Sequence, residues 1–111
     1  MTRIIDEVYE SIAQNIVNVI SDDWSNATLK VEFYINAMEL KATYLTLSGK
    51  TKDLDTIPQM FKDFKDLYFI MTKEGELHKW NRATFKLAPT GKFSIDFDWD
   101  QELADEIERL K

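Results

Sequence analysis

The chain lacks cysteine entirely and is poor in glycine and proline, with three and two among its 111 residues. Without cysteine it can form neither a disulfide, a thiolate metal site nor a catalytic thiol, so nothing requires an oxidising compartment. The shortage of glycine argues against a phosphate-cradling loop, and no Walker loop, dinucleotide fingerprint or Gly-x-Ser-x-Gly motif occurs. The single histidine, His78, has no triad to join.

Long hydrophobic runs are also missing. No stretch approaches the roughly 18 consecutive apolar residues of a membrane span. Near the N-terminus, Asp6, Glu7 and Glu10 interrupt the segment where a secretory signal would carry its apolar region. We therefore expect a cytoplasmic protein.

Basic residues are fewer than acidic ones, 14 against 20, which gives a net charge of -6. Nucleic acids and anionic membranes are bound mainly through Lys and Arg, so this balance argues against both as direct partners. A macromolecular partner should instead be basic. The length and the 44% hydrophobic content predict one globular domain over residues 1–111.

Hydrophobic periodicity predicts alternating helical and extended elements. The pattern places helices at 3–20, from Pro58 onward and at 101–111, strands at 27–35 and 40–47, a polar loop at 48–56, and a β-hairpin over 80–100. The predicted fold class is α+β, in the order α-β-β-α-β-β-α, with an antiparallel sheet of about four strands and the helices packed on one face. The predicted core contains Ile12, Ile16, Val31, Phe33, Phe61, Phe64, Phe85, Phe93, Ile95 and Phe97.

The second strand of the hairpin, FSIDFDWD, carries the most unusual pattern in the chain. Alternation sends Phe93, Ile95, Phe97 and Trp99 to one face, and Ser94, Asp96, Asp98 and Asp100 to the other. Like charges two residues apart on one face of a strand repel one another. An ordinary solvated face has no need for such a row of aspartates. The residues alone leave three interpretations open: a face that binds a basic protein, a solvated surface, and a carboxylate metal site.

A metal-dependent hydrolase is the weakest of these interpretations. Asp96, Asp98, Asp100 and Glu102 offer oxygen ligands suited to Mg²⁺ or Ca²⁺, but an extended strand spreads them along a line. We therefore predict no enzymatic activity, no metal and no cofactor. Among the aromatic residues, Tyr34 and Tyr44 are candidate partner contacts, although Tyr34 can also cap a sheet edge. Trp24 is interpreted as a hydrophobic plug under the first helix, with an interface anchor as the alternative.

Two segments resemble a known family. IAQNIVNVISDDWSNATLKVEF and WNRATFKLAPTGKFSIDFDWD are similar to the opening and to the W-x-x-x-T-x-x-L-x-x-x-G-K-F-x-x-x-F-x-Y-D signature of the YezG-like immunity proteins. Trp80, Thr84, Leu87, Gly91, Lys92, Phe93, Phe97 and Asp100 fill the signature, and Trp99 replaces its Tyr. The resemblance implies an immunity protein that binds and neutralises a toxin domain, frequently a nuclease.

The charge pattern and the resemblance lead to the same functional hypothesis. An acidic inhibitor can meet the cationic residues of a nuclease with steering and charge-assisted hydrogen bonds, and it needs no chemistry of its own. The candidate partner-binding residues are Asp96, Asp98, Asp100, Glu102, Asp105, Tyr34 and Tyr44. The alternative is a small acidic adaptor or regulatory domain with a partner that is not a toxin.

Overall fold

The computed structural model describes residues 4–33, 37–73 and 80–109. In chain order the elements are α1 (Ile5–Val19), β1 (Trp24–Phe33), β2 (Met38–Thr46), β3 (Thr51–Asp53), α2 (Pro58–Lys73), β4 (Arg82–Leu87), β5 (Phe93–Asp98) and α3 (Gln101–Arg109). The α+β class and the order of the main elements are confirmed. None of the helices in these ranges is long and apolar enough to cross a membrane.

The strands form one antiparallel sheet in the order β3-β2-β1-β4-β5. Because side chains alternate along a strand, each row of paired residues lies on one face. The row through Ala42, Leu29, Phe85 and Ile95 is apolar, and so are the rows on either side of it on that face. The opposite face carries the polar and charged residues.

The helices α1 and α2 pack together on the apolar face. The amphipathic stripe of α1 buries Val8, Ile12 and Ile16, as the spacing predicts, and α2 contributes Met60, Phe64 and Leu67. These residues join the apolar rows of the sheet in a single hydrophobic core.

A buried acidic side chain links the two helices. Asp63 of α2 has no solvent-exposed surface. Its carboxyl oxygens accept hydrogen bonds from Ser11 Oγ at 2.8 Å, Gln59 Nε2 at 2.9 Å and Asn15 Nδ2 at 3.4 Å. A buried polar group is costly unless it is hydrogen-bonded. These contacts therefore fix how α1 and α2 sit against each other.

Trp80 is the largest fully buried side chain, at 1% exposure. Its ring contacts Phe33, Tyr68 and Phe97 with centroid separations of 5.1, 5.2 and 5.0 Å. Our core prediction omitted it because a tryptophan just before a strand gives no periodic signal. Its ring closes the core between β1, α2 and β5.

Two boundaries differ from the predictions. Residues 48–56 were predicted as a loop, but Thr51–Asp53 pair with β2 as a fifth strand after a tight turn in which Gly49 adopts φ +88°. All three β3 residues are exposed, so they have no hydrophobic alternation to reveal them.

The strand β1 begins at Trp24 rather than residue 27, with a register shift between Trp24 and Asn26. Trp24 is half-buried and packs against the core.

The hairpin over residues 80–100 forms as predicted. Ala88 accepts a hydrogen bond from Gly91 N at 3.0 Å and donates to Lys92 O at 2.8 Å. Gly91 adopts φ +93°, which completes the three-residue turn with a left-handed residue that only glycine enters without strain.

Two members of the predicted core lie less deep than expected. The faces of β5 are assigned correctly, since Ile95 and Phe97 pack on the core. Phe93, however, is 44% exposed, because β5 is an edge strand and no further strand covers that side. Phe61 is half-buried and, unlike the half-buried Phe33, Ile95 and Phe97, does not belong to the set of described residues that pack against the core.

Candidate functional site

The polar face of the sheet is ordered in rows of charge. One row runs from Glu39 through Glu32 and Arg82 to Asp98. The next runs from Lys41 through Lys30 and Thr84 to Asp96. The middle strands thus carry both signs, with Lys30, Lys41 and Arg82 beside Glu32 and Glu39, whereas both rows end in an aspartate on β5 at the sheet edge. We call the exposed carboxylates of β5 and of the helix that follows it, Asp96, Asp98, Glu102 and Asp105, the acidic edge.

Asp96 and Asp98 point from β5 to the polar face, where the alternation of the strand predicts them. Both are exposed, and neither forms an ion pair with another residue of the described ranges. Asp98 stands directly opposite Arg82 in the register, whereas Asp96 stands opposite the uncharged Thr84. Asp96 therefore has no oppositely charged neighbour directly across from it on β4.

Asp100 has an internal role. Its backbone N–H donates to Asn81 Oδ1 at 2.7 Å, and its carbonyl accepts from Asn81 Nδ2 at 2.9 Å. Its Oδ1 accepts from Leu103 N at 3.1 Å, which caps the first turn of α3. The other carboxylate oxygen lies 2.9 Å from Arg82 Nη2, which also reaches Glu32 at 3.1 Å. The structure thus uses both carboxylate oxygens of Asp100 to attach α3 to the sheet.

An exposed aromatic residue lies between β5 and α3. Trp99 is 44% exposed, and its Nε1 donates to Gln101 Oε1 at 3.0 Å. Gln101 in turn donates to Asp105 Oδ1 at 2.9 Å. Glu102 lies on the first turn of α3 and is exposed. A partly exposed tryptophan held by a hydrogen bond and flanked by carboxylates has the composition of a protein-binding surface.

Tyr44 is placed differently from the acidic edge. Its ring lies on the apolar face, opposite Ala27, and packs on the core. Its hydroxyl donates to Asp22 Oδ2 at 2.7 Å, and Lys52 Nζ lies 2.9 Å from the same oxygen. Hydrogen bonds from Lys52 and Tyr44 lower the pKa of Asp22, while the bond to Asp22 raises the pKa of both Tyr44 and Lys52. This cluster joins β3 to the segment before β1, at the far side of the sheet from β5.

The structure therefore places Asp96 and Asp98 together on the polar face of β5, with Glu102 and Asp105 exposed on α3, the helix that follows. Asp100 serves as a helix cap beside them, Tyr44 lies apart, and Tyr34 falls outside the described residues. Sequence reasoning missed the neighbouring cations Lys30, Arg82 and Lys86 on the same face. The alternation of Arg82, Thr84 and Lys86 along β4 could have predicted these cations. In a β-hairpin, the polar residues of both strands lie on the same face of the sheet.

Metal-binding chemistry has no support in residues 4–33, 37–73 and 80–109. Within these ranges, no group of three or more His, Asp or Glu side chains is arranged to hold a metal ion. His78 falls outside the described residues. The described site is an exposed, charged face of the sheet on a small α+β domain, with the acidic edge at β5 and α3.

Comparison with known proteins identifies the family. The chain is 30% identical to the immunity protein YezG of Bacillus spizizenii over 117 aligned positions, which cover 91% of this chain and 72% of that protein. No family model matches the chain. The extent of this match shows that the chain belongs to the YezG-like immunity proteins, which confirms the resemblance seen in the sequence.

Proposed function

We propose that the protein is an immunity protein that binds a basic toxin domain, with a nuclease as the expected target, and neutralises it stoichiometrically in the cytoplasm of the cell that makes both. Membership in the family of the YezG immunity protein is the observation that carries this proposal. Inhibition by occlusion requires a surface rather than a catalytic centre.

We further propose that the acidic edge, with Trp99 as its apolar anchor, is the surface that meets the toxin. A nuclease must present Lys and Arg to nucleic acid, and carboxylates that are not already engaged can pair with those groups. Asp96 and Glu102 are exposed and have no ion-pair partner within the described ranges, so toxin binding would not break an existing pair. Asp100 stabilises this surface indirectly, because its cap fixes the start of α3.

The test uses the toxin domain encoded beside this gene and a matched pair of double variants. Asp96→Lys with Glu102→Lys reverses two charges of the acidic edge. Asp6→Lys with Glu10→Lys makes the same change in net charge on exposed positions of α1. Asp6 and Glu102 both occupy the second position of their helices, so the helix-dipole penalty is matched as well.

We expect calorimetry to show one immunity protein per toxin domain for the wild type. The acidic-edge variant should bind much more weakly than the α1 variant at low salt, and it should fail to protect cells that express the toxin. If both double variants weaken binding equally, only long-range charge matters. If neither weakens it, the acidic edge is a solvated surface.

The target class is tested separately by a DNA and RNA cleavage assay with the purified toxin domain. Cleavage that stops at an equimolar amount of this protein supports the nuclease proposal. Toxicity without cleavage of either nucleic acid would overturn it. Binding to a neighbouring gene product that is not toxic would favour the adaptor alternative.

A further inference from the structure

The two edges of the sheet differ in length and exposure. The edge formed by β3 has three residues, whereas the edge formed by β5 has six. Short strands are one way in which proteins protect an edge from pairing with other chains. The strand β5 lacks that protection, and every one of its residues is exposed or half-buried.

The hydrogen-bond register shows which backbone groups face outward. Ala88 N donates to Lys92 O at 2.8 Å, so residues 88 and 92 form a hydrogen-bonded pair at the turn. In an antiparallel ladder such pairs alternate with non-bonded ones, which directs the backbone of Ser94, Asp96 and Asp98 toward β4. The N–H and C=O groups of Phe93, Ile95 and Phe97 then point away from the sheet. Apart from the strand ladder, no hydrogen bond between described residues reaches them.

We propose that β5 pairs antiparallel with β5 of a second copy of this chain, about a two-fold axis at Ile95. Ile95 then pairs with Ile95 of the second copy, and Phe93 pairs with Phe97 of the second copy. This register uses all three outward-facing residues and forms up to about six hydrogen bonds. The two five-stranded sheets become one, with the helices α1 and α2 of both copies on the same side.

Side chains on the apolar face support this register. Phe93 is 44% exposed although Tyr9 and Phe85 contact its ring at 5.4 and 5.3 Å. In the pair, the half-buried Phe97 of the second copy lies directly across from it. Contact between the two rings covers apolar surface that the single chain leaves open to water.

Charges on the polar face select the same register. Lys92 stands opposite Asp98 of the second copy, and Ser94 stands opposite Asp96. Both are non-hydrogen-bonded pairs, in which the Cα atoms approach to about 4.5 Å and the side chains lie closest. Moving the axis one residue toward the C-terminus sets Asp96 against its own copy, which is repulsive. The acidic residues of β5 therefore specify one alignment of two copies rather than preventing their association.

The predicted dimer is weak. A strand edge of six residues buries far less than the roughly 1,600 Å² of a standard interface, and two chains of net charge -6 repel each other. We expect a concentration-dependent equilibrium rather than a permanent dimer. This inference does not depend on the proposed function, because it involves only this chain.

Sedimentation equilibrium on the purified protein tests the pairing, starting from a monomer mass of 13.1 kDa. Lys92→Asp and Asp98→Lys should each weaken dimerisation by roughly tenfold, because each substitution places like charges opposite one another at two symmetric positions. The double variant restores opposite charges and should dimerise like the wild type. Lys92 and Asp98 lie at opposite ends of the strand, so rescue requires contact between copies.

The two single variants also separate local pairing from overall charge. Lys92→Asp makes the chain more acidic and Asp98→Lys makes it less acidic, so overall repulsion alone predicts opposite effects. Lys86→Asp is the matched control, because Lys86 lies on the same face but on the interior strand β4. Its variant should differ from the wild type far less than Lys92→Asp does.

Three results would overturn the proposal. The first is a wild-type chain that stays monomeric at every concentration it tolerates. The second is a dimer whose strength follows net charge across the variants. The third is a dimer in which the double variant is not rescued. As a direct check on the backbone pairing, the Ile95 amide should exchange its hydrogen more slowly as the protein concentration rises.

Discussion

Replacing Asp100 distinguishes a structural carboxylate from the exposed carboxylates near it in sequence. Asp100→Ala removes the cap on Leu103 N and the ion pair with Arg82, whose atoms lie at 3.1 and 2.9 Å. Loss of a helix cap costs about 1 kcal/mol, within a range of about 0.5–2 kcal/mol. A partly exposed ion pair adds up to about 1 kcal/mol. The expected loss of unfolding free energy is therefore about 2 kcal/mol.

Two further variants divide this loss into its parts. Asp100→Asn keeps an oxygen that can cap the helix and removes the charge, so it should cost about 0.5–1 kcal/mol. Asp96→Ala removes an exposed carboxylate with no ion-pair partner in the described ranges and should change stability by less than about 0.5 kcal/mol. Asn81 remains in all three proteins, and its side chain still bridges the backbone of residue 100.

Urea unfolding gives the three free energies, and hydrogen exchange at the Leu103 amide reports the cap directly. Exchange at Leu103 should accelerate in Asp100→Ala but not in Asp96→Ala. If Asp100→Ala costs no more than Asp96→Ala and leaves Leu103 protected, the cap and the ion pair do not hold α3. The role assigned to Asp100 here would then be wrong.

Three other predictions concern the core, the turn and the cluster at β3. Phe85→Ala should cost about 3–5 kcal/mol in chemical unfolding, and the 44% exposed Phe93 only about 1–2 kcal/mol on the same change, so equal costs would contradict the edge position of β5. Gly91→Ala should cost about 1 kcal/mol through backbone strain alone, since no atom lies within 4 Å of the added carbon; a neutral result would refute the left-handed turn. Tyr44→Phe should raise the pKa of Asp22 toward its ordinary value in a carboxyl NMR titration. Because the folded pKa of Asp22 is depressed, its stabilisation is present above the ordinary value and is lost as pH falls through the folded pKa. In the variant this stabilisation should therefore be smaller, and its loss should be complete at a higher pH.

The main elements of the fold were predictable because their signals are periodic. The stripe of α1 and the alternation of β4 and β5 each state which face is buried, and the structure agrees. The strand β3 was not predicted, because three exposed residues at a sheet edge show no alternation of apolar and polar residues. Its pairing is instead fixed by the turn at Gly49 and by the backbone of β2.

The candidate site was predictable only in part. Alternation placed Asp96 and Asp98 on one face, but it could not show that Arg82 from the neighbouring strand lies among them. Asp100 follows the strand with the same spacing and was grouped with them, although the chain turns there into α3 and takes it as a cap. Tyr44 was assigned to an interface because the alternation of β2 is irregular, and the register with β1 turns it to the core. Long-range pairing decided each of these positions.

The position of β1 in the middle of the sheet has a consequence for folding kinetics. The hairpin β1–β2 and the hairpin β4–β5 each join neighbouring segments, so each can form early and locally. Their junction pairs Val31 with Ala83, roughly fifty residues apart along the chain, and closing that loop costs entropy before its contacts compensate. The β1–β4 seam is therefore expected to form in the rate-limiting step. Truncations at Val31 should mainly slow folding, whereas changes in β3 should mainly speed unfolding.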